Sequence, residues 1–275
     1  MQQVTALWAL YREAARATWR SLRQGWMAMI GLVGFAVIFV AVSRIASPLG
    51  IAGGFLMGAA NALLVGATLH LIEQSLGGMR ALQFHDLLDS MGHYFWEVIG
   101  VGFVLWLPIM ALDMGTQANP YGQFLSSACL VLLFLLLNPA PEVIYQARHE
   151  SPLDVFKTSY EFVLENWIEW FLPFGLLVLP VVVSPAGLRE FVSLSSRLGR
   201  GAGLDFFQLL ILPFTVLGGW FSYLGLPADA YWILAVFLTP PVAMCILLFR
   251  GHLFALLQGS SRRKRLFARG FHPGS

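Results

Sequence analysis

The segment 84-FHDLLDSMGHYFWEVIGVGFVLWLP-108 recurs 72 residues later as 156-FKTSYEFVLENWIEWFLPFGLLVLP-180. The two copies align without gaps, and each runs from an amphipathic stretch into an apolar one. An offset of 72 residues is a whole number of helical turns, so matched side chains point the same way on their helices. The matched pairs are Phe84 with Phe156, Leu88 with Tyr160, Asp89 with Glu161, Met91 with Val163, Phe95 with Trp167, and Pro108 with Pro180. The pattern predicts a repeated membrane architecture.

The composition is that of a chain that crosses a bilayer several times. Of its 275 residues, 57% are hydrophobic and 12% are charged, whereas soluble domains carry about 25% charged residues. Several stretches without Asp, Glu, Lys or Arg reach the roughly 20 residues that a transmembrane helix needs. Six spans are predicted, at about 25–46, 48–72, 95–113, 121–140, 167–186 and 230–254.

These spans predict an all-α fold, a polytopic membrane helix bundle that forms one integral membrane domain over residues 1–275. Three pseudo-repeated units, each an interfacial helix followed by a transmembrane hairpin, are expected at about 5–72, 79–140 and 151–254. A basic tail, 255–275, follows them. The stretch 205–225 is apolar but is interrupted by Pro213 and the Gly218-Gly219 pair, and is expected to be a re-entrant or interfacial segment.

The distribution of basic residues predicts the topology. With six crossings and both termini in the cytoplasm, 13 of the 17 Lys and Arg residues lie on the inner side. A seventh crossing at 205–225 weakens or reverses this bias, so the positive-inside rule favours six. The chain is therefore expected in the cell inner membrane as a multi-pass protein.

Two basic clusters are expected to contact anionic phospholipids. Leu7, Leu10, Ala14 and Ala17 turn away from an arginine stripe on the first helix, which is typical of a helix lying at the bilayer surface. The second cluster follows the last span, where each basic residue contributes about 1 kcal/mol of attraction to an anionic leaflet. The residues are Arg12, Arg16, Arg20 and Arg23 in the stripe and Arg262, Arg263, Lys264 and Arg265 in the tail.

Small residues recur every fourth position in the second span. Such a row lets helix backbones approach closely, which predicts a helix-packing face. The row consists of Gly50, Gly54, Gly58, Ala62 and Gly66.

Polar or helix-breaking residues inside the spans mark a possible intramembrane site or hinge. Asn61 lies in the middle of the second span, where an amide is normally hydrogen-bonded across helices. Pro240 and Pro241 lie in the middle of the last span, and each removes a backbone donor. Transporters build ion sites at such breaks, although static kinks have the same sequence pattern.

Four residues are candidate metal ligands because histidine and carboxylate side chains bind zinc or iron. His85, Asp89 and His93 stand at successive fourth positions, and His70 precedes them. The alternative is a polar helix face that contacts cytoplasm and headgroups.

The order of these features resembles the YciC-type group of six-span bacterial inner-membrane proteins. A similar region occurs fused to some glycerophosphodiester phosphodiesterases. The segments that carry the resemblance are 80-RALQFHDLLDSMGHYFWE-97, 138-NPAPEVIYQARHESPLDVFKTSYEFVLENW-167 and 249-FRGHLFALL-257. The 275 residues include no soluble phosphodiesterase domain, so the resemblance implies a membrane role and not that activity.

The function expected from these patterns is non-enzymatic: an accessory or scaffold subunit, or a lipid-associated factor. No HExxH motif, phosphate-binding glycine loop or nucleophile elbow occurs in the sequence. The alternative is a small transporter or flippase with kinked helices at Pro213 and at Pro240-Pro241. A third possibility is a membrane-embedded metal hydrolase. We expect the lipid bilayer and a membrane-protein subunit as partners, with no nucleic acid and no cofactor.

Overall fold

The computed structural model describes residues 2–78, 84–116, 121–147, 151–183, 205–226 and 228–258. These residues form α-helices joined by short turns, and no strand occurs among them. A 3-10 turn, Ser47–Leu49, joins the second helix to the third. The α-helices are α1 (Gln2–Gln24), α2 (Trp26–Ala46), α3 (Ile51–Gly77), α4 (Phe84–Asp89), α5 (Phe95–Thr116), α6 (Gly122–Leu136), α7 (Ala140–Gln146), α8 (Pro152–Val183), α9 (Phe206–Tyr223) and α10 (Ala228–Leu257).

Six helical segments among the described residues are long and apolar enough to cross a membrane. They confirm the predicted all-α, polytopic bundle, and the chain is an integral membrane protein. The relation of three repeated units stays a prediction. The six segments are Trp26–Leu49, Ile51–Gly77, Phe95–Thr116, Phe124–Gln146, Pro152–Leu179 and Val236–Leu257.

Helix α3 lies at the centre of the bundle. A helix that is buried on all sides must be surrounded by other helices, and a continuous run from Leu64 to Leu69 is buried. Helices α2 and α5 expose large apolar side chains instead, among them Val37 and Phe103, as expected for helices that face lipid. Because Gly25 packs against Ser75, α2 begins where α3 ends, and we call this end of the bundle the basal end.

The interfacial helix predicted at the start of the unit 79–140, before the span at 95–113, is interrupted over its described part. Only Phe84–Asp89 is helical, and the chain then turns until α5 begins. Gly92 lies in this turn with φ +89°, a conformation that interrupts a right-handed helix and favours glycine. Asp86 is buried rather than part of a solvated face. His93 therefore does not continue the helical row of His85.

The corresponding segment of the next unit, 152–167, is helical but continues directly into its span as α8. Its start is fixed by reciprocal capping: the Ser151 backbone N–H donates to the Asp154 carboxylate (2.9 Å), and the Asp154 N–H donates to Ser151 Oγ (3.3 Å). The backbone departs from helical angles at Asn166 (φ −130°, ψ 20°). A bend, rather than a loop, thus joins the amphipathic part to the span.

Within the described part of the chain, the row of small residues in α3 is closely packed over only part of its length. Gly50 occupies the turn before the helix with φ +56°, and no described atom lies within 4 Å of a Cβ placed on Gly54 or Gly58. Ala62 is buried, and a Cβ on Gly66 would lie 3.0 Å from the Tyr94 carbonyl carbon. Among the described residues, this row thus makes close contacts at Ala62 and Gly66, and packing at its first three positions stays a prediction.

The helix-breaking residues of the last two helices do not interrupt them. Helix α9 continues through Pro213 and Gly218-Gly219, and α10 continues through Pro240-Pro241. Proline fixes φ near the helical value, so each ring removes a hydrogen bond without ending the helix. The apolar part of α9, Leu212–Phe221, is shorter than a span. Its expected re-entrant or interfacial placement stays a prediction.

Candidate functional site

Helix α1 is docked against the bundle by its uncharged face. Ala14 and Thr18 are buried, and Ser21 Oγ lies 2.9 Å from His252 Nε2 on α10. The Tyr11 hydroxyl donates to the Glu169 carbonyl of α8 at 2.9 Å. Burial and the Glu169 charge raise the pKa of Tyr11 to about 12, so the hydroxyl stays a neutral donor. These contacts hold α1 in one orientation.

That orientation leaves the arginine stripe exposed on the other face of α1. Arg12, Arg16 and Arg20 line a shallow depression together with Ala15 and Trp19. The Arg23 guanidinium lies 5.0 Å from the centre of the Trp19 ring, and this cation–π contact orients the indole. The second predicted basic cluster, Arg262, Arg263, Lys264 and Arg265, lies outside the described residues.

An apolar cavity of about 310 Å³ opens between α1, α8 and α10. Phe174, Leu177 and Ile246 provide much of its apolar wall. Ala15 and Trp19 line both this cavity and the arginine depression, so the two are adjacent. The arrangement places a basic surface directly beside a hydrophobic pocket.

Arg250, which lines this cavity, is held in a buried ion pair. The Arg250 guanidinium donates to both carboxylate oxygens of Glu142, at 2.7 and 2.9 Å, and to the Asn138 carbonyl at 2.6 Å. Trp170 donates from Nε1 to Asn138 Oδ1 at 2.8 Å, and its ring lies 5.2 Å from the guanidinium carbon. Glu142 is 2% exposed. Charge-assisted bonds of this bidentate kind are among the strongest that side chains make.

The ion pair was not predicted as a site. Its only signals in the sequence are Glu142 after the proline-rich end of the fourth span and Arg250 within the apolar last segment. The two residues are 108 positions apart, and no local pattern connects them.

A second polar cluster lies where α3 meets the start of α5. Glu73 Oε2 is 3.2 Å from His70 Nδ1 and accepts a hydrogen bond from the Tyr94 hydroxyl at 2.8 Å. The rings of His70 and His93 are stacked with centroids 3.9 Å apart. Burial, and next the hydrogen bond to Glu73, raise the pKa of Tyr94 well above its usual value, which keeps the hydroxyl protonated.

The structure brings together two of the four predicted metal ligands. His70 and His93 join Glu73 in a group whose ligand atoms all lie within 4.8 Å of one another. His85 Nδ1 and Asp89 Oδ2 form a separate, exposed pair at 2.6 Å. The turn at Gly92 separates His93 from them. Glu73, one helical turn after His70, is the third member of the group, and His85 and Asp89 are not part of it.

Asn61 connects two helices. Its Oδ1 accepts a hydrogen bond from the Phe206 backbone N–H, the first residue of α9, at 2.7 Å. The interaction satisfies one of the free donors at a helix N-terminus. Gly54, Gly58 and Asp205 lie beside Asn61 along an open groove of about 790 Å³. Gly54 and Gly58, which have no described atom within 4 Å of a Cβ position, therefore line this groove.

No protein-family model matches this chain, and no curated protein or solved structure matches it either. The resemblance to the YciC-type proteins stays a prediction.

Proposed function

We propose that this integral membrane protein is non-enzymatic and lipid-associated, and that it holds an anionic phospholipid against α1. One observation carries the proposal: the arginine depression and the apolar cavity share Ala15 and Trp19 as lining residues. A phospholipid has the same arrangement of parts, since its charged headgroup adjoins its hydrocarbon chains.

The exposed arginines provide the headgroup contacts. Arg12, Arg16 and Arg20 stand on one face because their spacing is close to a helical turn. Guanidinium groups bind phosphate oxygens in bidentate geometry. Near an anionic leaflet each basic residue contributes about 1 kcal/mol, so the three together favour anionic over neutral lipids.

The cavity accommodates part of one acyl chain. Its volume of about 310 Å³ is at the lower end of the range for small-molecule pockets, which is too small for a whole lipid. Each methylene that leaves water for an apolar site contributes about 0.8 kcal/mol. The charge of Arg250, which lines the cavity, is neutralised by Glu142, so this part of the wall is polar without attracting the headgroup inward.

The lipid proposal is tested by lipid analysis of the protein purified in detergent from native membranes. We expect phosphatidylglycerol or cardiolipin to be enriched over phosphatidylethanolamine by mass spectrometry. Replacing Arg12, Arg16 and Arg20 together with Gln removes about 3 kcal/mol of attraction, which is roughly a hundredfold in affinity, and should abolish this enrichment. Arg44→Gln is the matched control, because Arg44 is exposed near the other end of α2. An equal loss in the control, or no enrichment in the native chain, refutes the proposal.

The cavity is tested separately by filling it. Leu177→Trp should exclude the acyl chain and lower lipid retention. Leu176→Trp is its control, since Leu176 is the neighbouring residue and is 59% exposed at the outside of α8. Retention that falls equally in both variants argues against the cavity.

The accessory role is also part of the proposal, with the chain in the inner membrane and both termini cytoplasmic. Purification from native membranes under mild conditions should recover a stoichiometric membrane-protein subunit. Clean recovery of a monomer that converts a substrate would end the non-enzymatic interpretation.

A small transporter or flippase is the second candidate, and the groove at Asn61 favours it. Helix α9 begins beside Asn61, about 15 Å along α3 from its first residue at 1.5 Å per residue. Transporters place helix ends at such depths, next to cavities. With Cys129 and Cys245 replaced by Ala, Gly58→Cys should react with a water-soluble maleimide if the groove is aqueous. Protection from reagent on both sides of the membrane would rule the candidate out.

A further inference from the structure

We propose that His70, Glu73 and His93 bind a divalent transition-metal ion of the zinc type, which joins α3 to the start of α5. This inference is independent of the lipid site. It is carried by the convergence of two imidazoles and one carboxylate from two separate elements.

The donor set and its geometry fit zinc. Zinc sites with two histidines and one carboxylate leave a fourth position for water, at metal–ligand distances of about 2.0–2.2 Å. In a tetrahedral site of those dimensions the ligand atoms are about 3.3–3.6 Å apart. His70 Nδ1 and Glu73 Oε2 are already 3.2 Å apart. One edge of the coordination tetrahedron is therefore formed by residues three positions apart on α3.

His93 completes the set after a small movement. No pair of ligand atoms in the group is more than 4.8 Å apart, so the longest separation has to shorten by little more than 1 Å. The His93 side chain is exposed and lies in the turn that contains Gly92. Its ring can leave the stack on His70 without displacing a buried group.

Hydrogen bonds around the ligands match those found outside the ligand shell of metal sites. Tyr94 donates to Glu73, which orients the carboxylate, and Gln74 Nε2 lies 2.9 Å from His70 Nε2. Gln74 Oε1 is buried and has no hydrogen-bond partner among the described residues. Half a turn of this amide places Oε1 on a protonated Nε2, which leaves the Nδ1 lone pair free for the metal. Ligating histidines almost always donate their other N–H in this way.

The metal would strengthen a junction that is already close. Gly66, His70 and Glu73 follow one another at spacings of four and three residues, so they lie on one face of α3. At Gly66 this face approaches the backbone of the next element: a Cβ on Gly66 would lie 3.0 Å from the Tyr94 carbonyl carbon and 3.1 Å from the Phe95 nitrogen. A metal one turn further along the same face therefore links the same two elements.

Zinc binding by the full-length chain in detergent is the test. Chelator-treated protein is dialysed against buffered zinc, and bound metal is measured by mass spectrometry. We expect about one equivalent per chain for the native protein. His93→Gln and Glu73→Gln should each lower the affinity at least tenfold, as the loss of one of three ligands requires. Cobalt in place of zinc should give the visible absorption of a tetrahedral site in the native chain and not in these two variants.

The exposed pair supplies the matched controls. His85→Gln and Asp89→Asn remove the same chemical groups, from a pair held at 2.6 Å only a few residues away. Both should keep full zinc binding and the cobalt spectrum. Thermal unfolding without metal reports whether the His93→Gln chain is folded, and added zinc should raise the melting temperature of the native chain but not of this variant.

Two results would overturn the inference. Native protein that retains no zinc would show that the cluster is only a hydrogen-bonded one. Equal zinc loss in the His85 and His93 variants would show that binding is adventitious at exposed histidines.

Discussion

The buried pair of Glu142 and Arg250 allows the sharpest test of the packing at the basal end. Glu142→Gln keeps the shape of the side chain and removes its charge. The Arg250 guanidinium would then keep the Asn138 carbonyl, the Trp170 ring and the neutral Gln oxygen as partners but lose its counter-charge, at a site where its side chain is only 21% exposed. Breaking a buried ion pair by removing one member costs about 3–5 kcal/mol. The remaining carbonyl and aromatic contacts lead us to expect the lower value.

The double variant distinguishes the contribution of the ion pair to the free energy of unfolding from the destabilisation caused by an unpaired buried charge. Glu142→Gln with Arg250→Gln leaves no charge to be solvated, and replacement of a buried ion pair by neutral groups is often nearly neutral in stability. We expect the double variant to be more stable than the Glu142→Gln variant. The difference between the double effect and the sum of the single effects gives the coupling energy.

The assay is reversible unfolding in mixed micelles, in which the denaturing detergent fraction is increased and tryptophan fluorescence is followed. Asp89→Asn is the control, since an exposed pair contributes only about 0–1 kcal/mol. A loss below about 1 kcal/mol for Glu142→Gln, with additive effects in the double variant, would show that water solvates the pair and refute this reasoning.

Three further predictions follow from particular contacts. Gly66→Leu should destabilise the bundle by more than about 1 kcal/mol, because its Cβ would meet the Tyr94 backbone, whereas Gly58→Leu should be tolerated. The same unfolding assay compares the two variants, and equal effects would contradict the close packing at Gly66. Gly251→Ala should lower the free energy of unfolding by about 1–3 kcal/mol, since its Cβ would lie 2.7 Å from Leu76 Cδ1 and 2.8 Å from the Tyr145 hydroxyl oxygen. An unchanged melting temperature would disprove this close approach. A reporter that works only in the cytoplasm, fused after Ser275, should be active; activity of a periplasmic reporter instead would show that α9 crosses the membrane.

Sequence patterns predicted those features that depend on neighbours along the chain. The six spans are confirmed because a run of about 20 apolar residues must either cross a bilayer or be buried, and helix is the backbone state that satisfies its hydrogen bonds there. The exposed face of α1 was also predicted from the sequence, since the arginines recur close to the helical period.

One prediction extended a local pattern too far and was wrong at Gly92. Extending the helical period through Gly92 placed His93 beside His85, whereas a positive φ at one glycine turns the chain toward α3. The four-residue period of the small residues continues along α3, but among the described residues its close contacts are made at Ala62 and Gly66.

The sequence by itself determined that this chain is a bundle of membrane helices with an arginine face on its first helix, because hydrophobic length and helical periodicity act over a few turns. Only the tertiary structure decided which polar groups meet. Glu142 and Arg250 are 108 residues apart, and His70 lies on α3 whereas His93 lies in the turn before α5. In a low-dielectric interior a charged or polar group must be satisfied by whichever group packing brings near. That choice depends on how the helices are arranged, which no local pattern encodes.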